Sequence, residues 1–440
     1  MNWPAYSDYG SSQLPWIGAV PAHWRIAPNR ALLDLRRDPV GKKSGEYPLL
    51  SLTLRGVILR DVSENKGKFP VEFDTYQAVD PGNLVFCLFD IEETPRTVGL
   101  AKNRGMVTGA YDVFRVRKGV DGRYVEYLYL ALDEKKSLSY FYSGLRKVIR
   151  MPTFKSIRCP VPPLPEQAAI ADFLDAETSK IDALIAKQGQ LIATLREDRA
   201  ATITHAVTEG LDVSVEMKGS GVEWLGEMPR HWLASRLKNV IGSTESGTSV
   251  NAGDWPAGAD DIGVLKTSCV SAGWFNPAAN KTVVDQSEID RATCPVKADS
   301  LIVNRANTPQ LVGSAGYAEV GHKNLFLSDK LWQVRFNGTL GRFIYYWTQT
   351  QVYRSQITAL CVGASSSMQN LAMTDFRNVA VALPPLDEQA AIVSFLSTRT
   401  STIDDLIEKA LSVIKVLQEY RAALITDAVT GKIDVRGAVA

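Results

Sequence analysis

The stretch Pro162-Pro163-Leu164-Pro165-Glu166-Gln167-Ala168-Ala169-Ile170 returns 222 residues later as Pro384-Pro385-Leu386-Asp387-Glu388-Gln389-Ala390-Ala391-Ile392. The match runs on: Pro162 to Val213 aligns without gaps to Pro384 to Val435, with about 30 of the 52 positions identical. Identity of that extent marks an internal duplication. A second matched pair lies upstream of each copy, Trp16-Ile17-Gly18-Ala19-Val20-Pro21-Ala22-His23-Trp24 against Trp224-Leu225-Gly226-Glu227-Met228-Pro229-Arg230-His231-Trp232. Between these bookends, residues 25–155 and 233–378 have diverged almost completely. The order is leader, variable segment and shared segment, then the same again.

The shared segments read as long helices. Ile170, Phe173, Leu174, Ile181, Leu184, Ile185, Leu191, Ile192, Leu195 and Ile203 recur at steps of three and four, which lines one apolar stripe along a helix. The second copy repeats it with Ile392, Phe395, Leu396, Ile403, Leu406, Ile407, Ile414, Leu417, Leu424 and Ile425. Pro165 ahead of Glu166 suits a first turn, where proline forfeits no hydrogen bond and an acid favours the helix dipole. Gly210 and Gly431 are the expected stops. About 40 residues at 1.5 Å each give a helix of about 60 Å, and a helix that long with a single stripe needs a partner, for which the other copy is the obvious choice. The Glu-Gln pair itself reads as a helix start with core packing.

The variable segments carry short β-rich runs broken by Gly, Pro, Asn and Asp, such as Asn83 to Phe89 and Ser300 to Val303. A faint common plan persists: Leu49 to Gly56 parallels Val264 to Val270, and Phe154-Lys155-Ser156-Ile157 parallels Phe376-Arg377-Asn378-Val379. Each variable segment is expected to form an α+β globule of about 140 residues, an ordinary domain size.

Composition bounds the function. The 440 residues, 45% hydrophobic and 22% charged, require more than one core and carry no low-complexity tract. No apolar run reaches the roughly 18 residues that span a bilayer, and the start lacks a signal-peptide pattern, so a soluble protein of the cytoplasm is expected. Cys87, Cys159, Cys269, Cys294 and Cys361 are scattered, which points to neither a disulfide framework nor a zinc site. The net charge is +1, but residues 25–155 hold 23 Lys+Arg against 16 Asp+Glu, and residues 233–378 hold 13 against 11. A local basic excess fits a nucleic-acid-contacting domain and equally an uneven solvated surface.

Enzyme signatures are missing from the sequence. Asn276-Pro277-Ala278 is the nearest approach to a methyltransferase tetrapeptide and departs from it at the third position. Gly41-Lys42-Lys43-Ser44 lacks the upstream glycine of a phosphate loop. Asp61-Val62-Ser63-Glu64-Asn65-Lys66 has the acid-acid-lysine flavour of a nuclease, a pattern common by chance. His23 and His231 sit beside Trp24 and Trp232 in the leaders, a place for packing or capping rather than metal or acid–base work.

Two leaders ending in Pro-x-His-Trp, two divergent domains and two Leu/Val-Pro-Pro-Leu-x-Glu-Gln helices resemble the specificity subunit of Type I restriction–modification systems along nearly the whole chain. The resemblance implies a leader at 1–24, a target recognition domain at 25–160, a spacer helix at 161–212, a leader repeat at 213–232, a second recognition domain at 233–382 and a second spacer helix at 383–435. It implies that the helices pair as an antiparallel coiled coil with pseudo-two-fold symmetry, and that each domain reads one half of an interrupted duplex DNA sequence. It also implies two methyltransferase subunits and two motor-nuclease subunits as partners, no cofactor or metal of its own, and no catalytic residue. The first leader (Ser11 to Trp16) departs from the second (Ser220 to Trp224), so contacts there are expected to be unequal. The residues alone also admit a coiled-coil adaptor that binds proteins instead of DNA, or a stand-alone nuclease.

Candidate DNA contacts follow from side-chain type, because Arg, Lys, Asn, Gln, Ser and Thr supply phosphate contacts and base-edge pairs. In the first domain these are Arg55, Arg60, Lys66, Lys68, Arg96, Lys102, Arg104, Arg146, Lys147 and Arg150, with Gly144 to Arg150 the densest basic cluster. In the second they are Lys266, Thr267, Ser268, Asn304, Arg305, Asn307, Gln310, Ser365, Ser366 and Gln369.

Overall fold

The computed structural model describes residues 3–14, 16–60, 73–94, 96–134, 136–142, 147–365 and 368–437. The chain divides into two compact units, Met1–Gly189 with Leu411–Ala440, and Gln190–Ala410. Both long helices run through the division: Leu164–Thr208, of 45 residues, and Leu386–Val429, of 44.

In the first unit, strand Arg25–Pro28 pairs antiparallel with Arg158–Val161, so the variable segment leaves and returns at one point. Inside it lies a four-stranded antiparallel sheet in the order Leu33–Arg36, Asp112–Val116, Leu84–Phe86, Val98–Leu100. Helix Gly122–Glu134 contributes Tyr124, Val125, Leu128 and Tyr129 to the core, and the short helix Met151–Ser156 contributes Phe154, fully buried. Phe86, Phe114, Tyr129 and Phe154 meet with ring centroids 4.9–5.7 Å apart, an edge-and-tilt cluster that fixes the sheet against both helices. The same core takes Ile170, Leu174 and Ile181 from the first long helix and Leu424, Ile425, Ala428 and Val429 from the second.

The second unit repeats this plan. Leu233–Arg236 pairs with Ala380–Leu383, and a four-stranded sheet runs Ile241–Ser246, Leu331–Phe336, Ser300–Asn304, Ala315–Ala318. Phe376, on helix Met373–Asn378, is buried as Phe154 is. The unit adds a mixed sheet of Asn280–Thr282, Gly263–Leu265, His322–Phe326 and Pro295–Val296, with its own small core around Leu265, Val270 and Ile302. The expected parallel between Leu49–Gly56 and Val264–Val270 holds only at its first strand. The former closes a hairpin of Leu50–Thr53 with Gly56–Leu59, whereas the latter passes into a 3-10 turn at Thr267–Val270.

Within the second unit, Ile203 and Val207 share a core with Ile392 and Leu396, while Arg199 Nε lies 3.1 Å from Asp404 Oδ1. Residue numbers fall on one helix as they rise on the other, which is the antiparallel pairing expected. Arg399 adds an ion pair to Asp198 at 3.0 Å, and in the first unit Arg421 meets Asp182 at 2.9 Å. The stripe is narrower than the sequence pattern: Leu184, Leu191, Phe395 and Leu406 are exposed. Where two apolar residues adjoin, a helix turns them about 100° apart and one seam takes only one of them, here Ile185, Ile192 and Ile407. Phe395 lacks the cover that Trp3 gives Phe173, its counterpart, whose ring lies 4.8 Å away edge-on.

The repeated Glu-Gln pair does more than start a helix. Glu166 is buried and accepts from Tyr6 Oη (2.7 Å) and Trp24 Nε1 (2.9 Å), with His23 Nε2 at 2.8 Å. Glu388 repeats this with Trp232 Nε1 at 3.1 Å and His231 Nε2 at 2.7 Å. The neighbouring glutamine faces the variable segment. Gln167 accepts from the Asp121 backbone N–H at 2.9 Å and donates to the Pro162 carbonyl, and Gln389 accepts from Leu340 N–H (2.9 Å) and Thr339 Oγ1 (2.8 Å) and donates to Pro384. The acid therefore ties each helix to a leader, and the amide ties it to the helix of the domain, Gly122–Glu134 or Gly341–Trp347. The histidines belong to these clamps, as packing or capping groups.

Both helices end on glycine in the left-handed region, Gly210 at φ +87° and Gly431 at φ +72°. Gly431 also lies hard against the first leader, where an added Cβ would come 2.3 Å from Pro21 Cδ. Beyond it, Asp434 N–H donates to the Pro4 carbonyl at 2.7 Å and Tyr9 Oη to the Gly431 carbonyl at 2.9 Å, so the first leader and the segment after the second helix meet in the first unit.

Candidate nucleic-acid interface

In the first unit the basic candidates gather around the hairpin Leu50–Thr53 with Gly56–Leu59. Its tip, Leu54-Arg55, is exposed, with Leu54 at 72%. The turn is built from Thr53, whose hydroxyl donates to the Gly56 carbonyl (3.1 Å) and accepts from Arg55 N–H (3.1 Å), and from Gly56 at φ +94°. A glycine at positive φ in this position suits the three-residue hairpin loop. Arg60 lies at the base of the hairpin, its N–H donating to the Leu49 carbonyl at 2.9 Å. Lys102 and Arg104 stand exposed on the adjoining turn, which isolated bridges Val57–Ala101 and Leu49–Met106 bring beside the hairpin. Arg104 rests 4.9 Å from the centre of the Tyr47 ring and hydrogen-bonds its hydroxyl at 3.2 Å, a stack that orders a long side chain on the surface.

Other first-domain candidates are committed elsewhere. Arg96, with 13% of its side chain exposed, pairs with Glu126 at 2.6 Å and donates to the carbonyls of Val98 (2.7 Å) and Leu54 (3.0 Å). Lys147 pairs with Glu92, and this contact together with Tyr142 holds the Glu92 carboxyl below its ordinary range. Arg150 is exposed just ahead of helix Met151–Ser156. Lys66, Lys68 and Arg146 lie outside the described residues, as do most of Gly144–Arg150's leading positions and the nuclease-like run Asp61–Lys66.

In the second unit, the fold brings several distant candidates together. Ala306–Asn307, Met368–Asn370 and Val362–Ser365 form a three-stranded sheet, in which Asn307 is opposite Gln369 and Ser365 opposite Met368. Arg305, one residue ahead, lies over the Trp332 ring at 5.9 Å. Gln369 is half-buried, and its Oε1 is shut off from solvent with no hydrogen-bond partner among the described residues. Gln310 is exposed on the following loop. Asn304 is not available: it is fully buried, its Oδ1 accepting from Ala306 N–H and its backbone pairing with Gly313 and Ser314, so it organises the loop instead. Lys266 and Ser268 are exposed and Thr267 half-buried on the 3-10 turn, apart from this sheet in sequence and element. Ser366 lies outside the described residues.

Among the described residues no three His, Cys, Asp or Glu side chains group to hold a metal, and the five cysteines are unpaired. Burial pushes the Cys269 and Cys159 thiols up to about 12, away from nucleophilic use. Gly41-Lys42-Lys43-Ser44 forms a 3-10 turn rather than a phosphate cradle.

Both halves of the chain have counterparts among known proteins. The family described as the Type I restriction modification DNA specificity domain matches residues 97–193 and 231–416. The chain belongs to that family. Among its relatives, the Type I restriction enzyme EcoKI specificity subunit of Escherichia coli (strain K12) is 23% identical over 91% of this chain and 88% of its own length. A putative type I restriction enzyme MjaX specificity subunit of Methanocaldococcus jannaschii is 22% identical over 96% of each. A chain solved in a type I R-M system, in work on its complex assembly and conformational transition, superposes with a TM-score of 0.67 at 14% identity, covering 94% of this chain and 99% of that one, which supports the same fold. The protein is thus a specificity subunit, the non-catalytic component of such a system.

The exposed Leu54 tip and the Glu166 and Glu388 clamps were not anticipated as functional. An apolar residue in a strand-rich run reads as core, and the clamp partners lie more than 140 residues apart in sequence. Only the repetition of the Glu-Gln pair and of the His-Trp pair in the leaders signalled a shared role.

Proposed function

We propose that this chain reads a two-part duplex DNA sequence, each variable domain taking one half, on behalf of methyltransferase and motor-nuclease subunits. The observation that carries the reading is the contrast between units. The His–Glu and Trp–Glu bonds of the clamp and the glutamine latch recur in both units, while the surfaces around Arg55 and around Arg305 share no side-chain set. Repeated scaffolds bearing unlike readers suit two unlike half-sites, as dimers suit palindromes. The two clamped helix starts offer equivalent docking places, which supports two methyltransferase subunits and, with them, two motor-nuclease subunits. The reading places this work in the cytoplasm. Among the described residues no helix is long and apolar enough to cross a membrane. Recognition domains occupy residues 25–160 and 233–382, and the helices fix the distance between half-sites.

Exchange of residues 25–155 for the corresponding segment of a relative, in chain reconstituted with its methyltransferase, tests this. Methylation mapping should show one half of the modified sequence changed and the other kept. A change in both halves, or in neither, refutes modular reading. Loss of duplex binding with rising salt separates a DNA reader from a protein adaptor.

A further inference from the structure

We propose that the hairpin tip Leu54-Arg55 is the element with which the first domain reads base edges, Leu54 against a thymine methyl and Arg55 against a guanine, and that Arg96 and Glu126 are the positioning residues behind it. The inference rests on the DNA-reading role above and deepens it. Three features of the hairpin point there. It is a two-stranded ribbon, joined to its surroundings by isolated bridges rather than built into a larger sheet, and the major groove, about 12 Å wide, admits such a ribbon. Its tip pairs a large apolar side chain, 72% exposed, with an arginine whose guanidinium has no partner among the described residues. Those two side chains are the types that recognise the thymine methyl and the O6/N7 edge of guanine.

The third feature is the brace. Arg96 and Glu126 are both largely buried, and a buried ion pair is a poor source of stability by itself. The Arg96 guanidinium also donates to the carbonyl of Leu54, at 3.0 Å, and lies 3.7 Å from the place a Cβ on Gly56 would occupy. Glu126 in turn accepts from Leu100 N–H at 3.0 Å, which anchors the pair to the four-stranded sheet. The loop tip is therefore held in one position from behind. A base contact needs such fixity, because a bidentate pair tolerates little displacement.

Full-length Leu54→Ala, Arg55→Ala and Arg96→Ala chains, each reconstituted with the methyltransferase, should be mapped for methylated sequence. Arg55→Ala should lose between about fivefold and about a hundredfold discrimination at one G·C position of the half-site read by residues 25–155. Replacing thymine by uracil in that half-site removes only the methyl and should weaken binding by the parent about fourfold, and by Leu54→Ala not at all. Arg96→Ala should blur the same two positions while the other half-site stays sharp. A bracing role confined to stability would instead lower melting temperature and leave base preference intact. If the tip variants keep the half-site and the thymine–uracil difference while exchange of residues 25–155 still changes that half-site, the hairpin assignment is overturned. If the exchange also changes nothing, the domain-reading role falls with it.

Discussion

Removing the carboxylate of Glu166 should damage the first unit more than removing that of Glu388 damages the second. Glu166→Ala strands three donors. Two of them, Tyr6 Oη and Trp24 Nε1, belong to side chains only 6% exposed, whereas the His23 side chain, 42% exposed, can turn to water. Glu388→Ala strands one buried donor, Trp232 Nε1, because the position matching Tyr6 is Ser214 and the His231 side chain is 43% exposed. A buried donor left without its acceptor costs about 1–3 kcal/mol. The expected losses are then about 2–6 kcal/mol in the first unit and about 1–3 kcal/mol in the second. The difference is one buried phenol. Hydrogen exchange read on peptides covering residues 16–28 and 224–236 would follow each clamp separately within the full chain. Tyr6→Phe should narrow the gap, and a Tyr6→Phe, Glu166→Ala double variant should lose less than the sum of the two. Equal losses in the two units, or additivity of Tyr6→Phe with Glu166→Ala, would refute this view of the clamp.

Three further outcomes are expected. The Lys297 ammonium (2.5 Å) and the Gln333 amide (2.9 Å) hold the Glu245 carboxyl below its ordinary value near 4.5, so the contribution to stability is present above that value and lost as pH falls through the lower, folded-state value. Glu245→Gln should flatten the acid limb of the second unit's stability profile as pH falls below about 4.5, the ordinary value. Gly431→Ala should cost more than Gly210→Ala: both incur about 1–2 kcal/mol for a left-handed backbone, but only Gly431 meets a ring carbon at 2.3 Å, while Gly210 meets the end of the Glu388 side chain at 3.2 Å. Thermal denaturation of the two variants decides it. Inserting four residues after Ala193 adds about 6 Å and little more than one turn, so the gap between methylated half-sites should grow by roughly one or two base pairs with the half-sites unchanged. An active variant with an unaltered gap would show that the helices do not set the distance.

The parts of the fold that were legible in the sequence are those written in local pattern. Three- and four-residue spacing marked both long helices, their glycine stops carry the positive φ such stops need, and Phe154 and Phe376 fell at equivalent buried places. Side-chain type was a weaker guide to the candidate interface, because it states what a residue can bond and not where its bonds go. Asn304 has the chemistry of an adenine reader and uses it inside its own loop. Arg96 looked like a phosphate contact until Glu126, thirty residues away, claimed it. Leu184 and Leu191 obeyed the helical period, yet a seam has one line and their neighbours hold it. The antiparallel sense of the helices came from resemblance and needed contacts such as Arg199–Asp404 to become a physical statement.

The meeting of the first leader with the segment after the second helix bears on how the chain is made. The second unit is one continuous stretch, Gln190–Ala410, whereas the first needs residues from both ends of the sequence. Leu424, Ile425, Ala428 and Val429 belong to the same core as Phe86 and Phe154, so that core stays open on the ribosome until the last segment emerges. At roughly ten residues per second, the 220-odd residues between Gly189 and Leu411 impose a wait of about 20 s. The domain synthesised first is therefore finished last, and during that interval its apolar face along Ile170, Leu174 and Ile181 is without its cover.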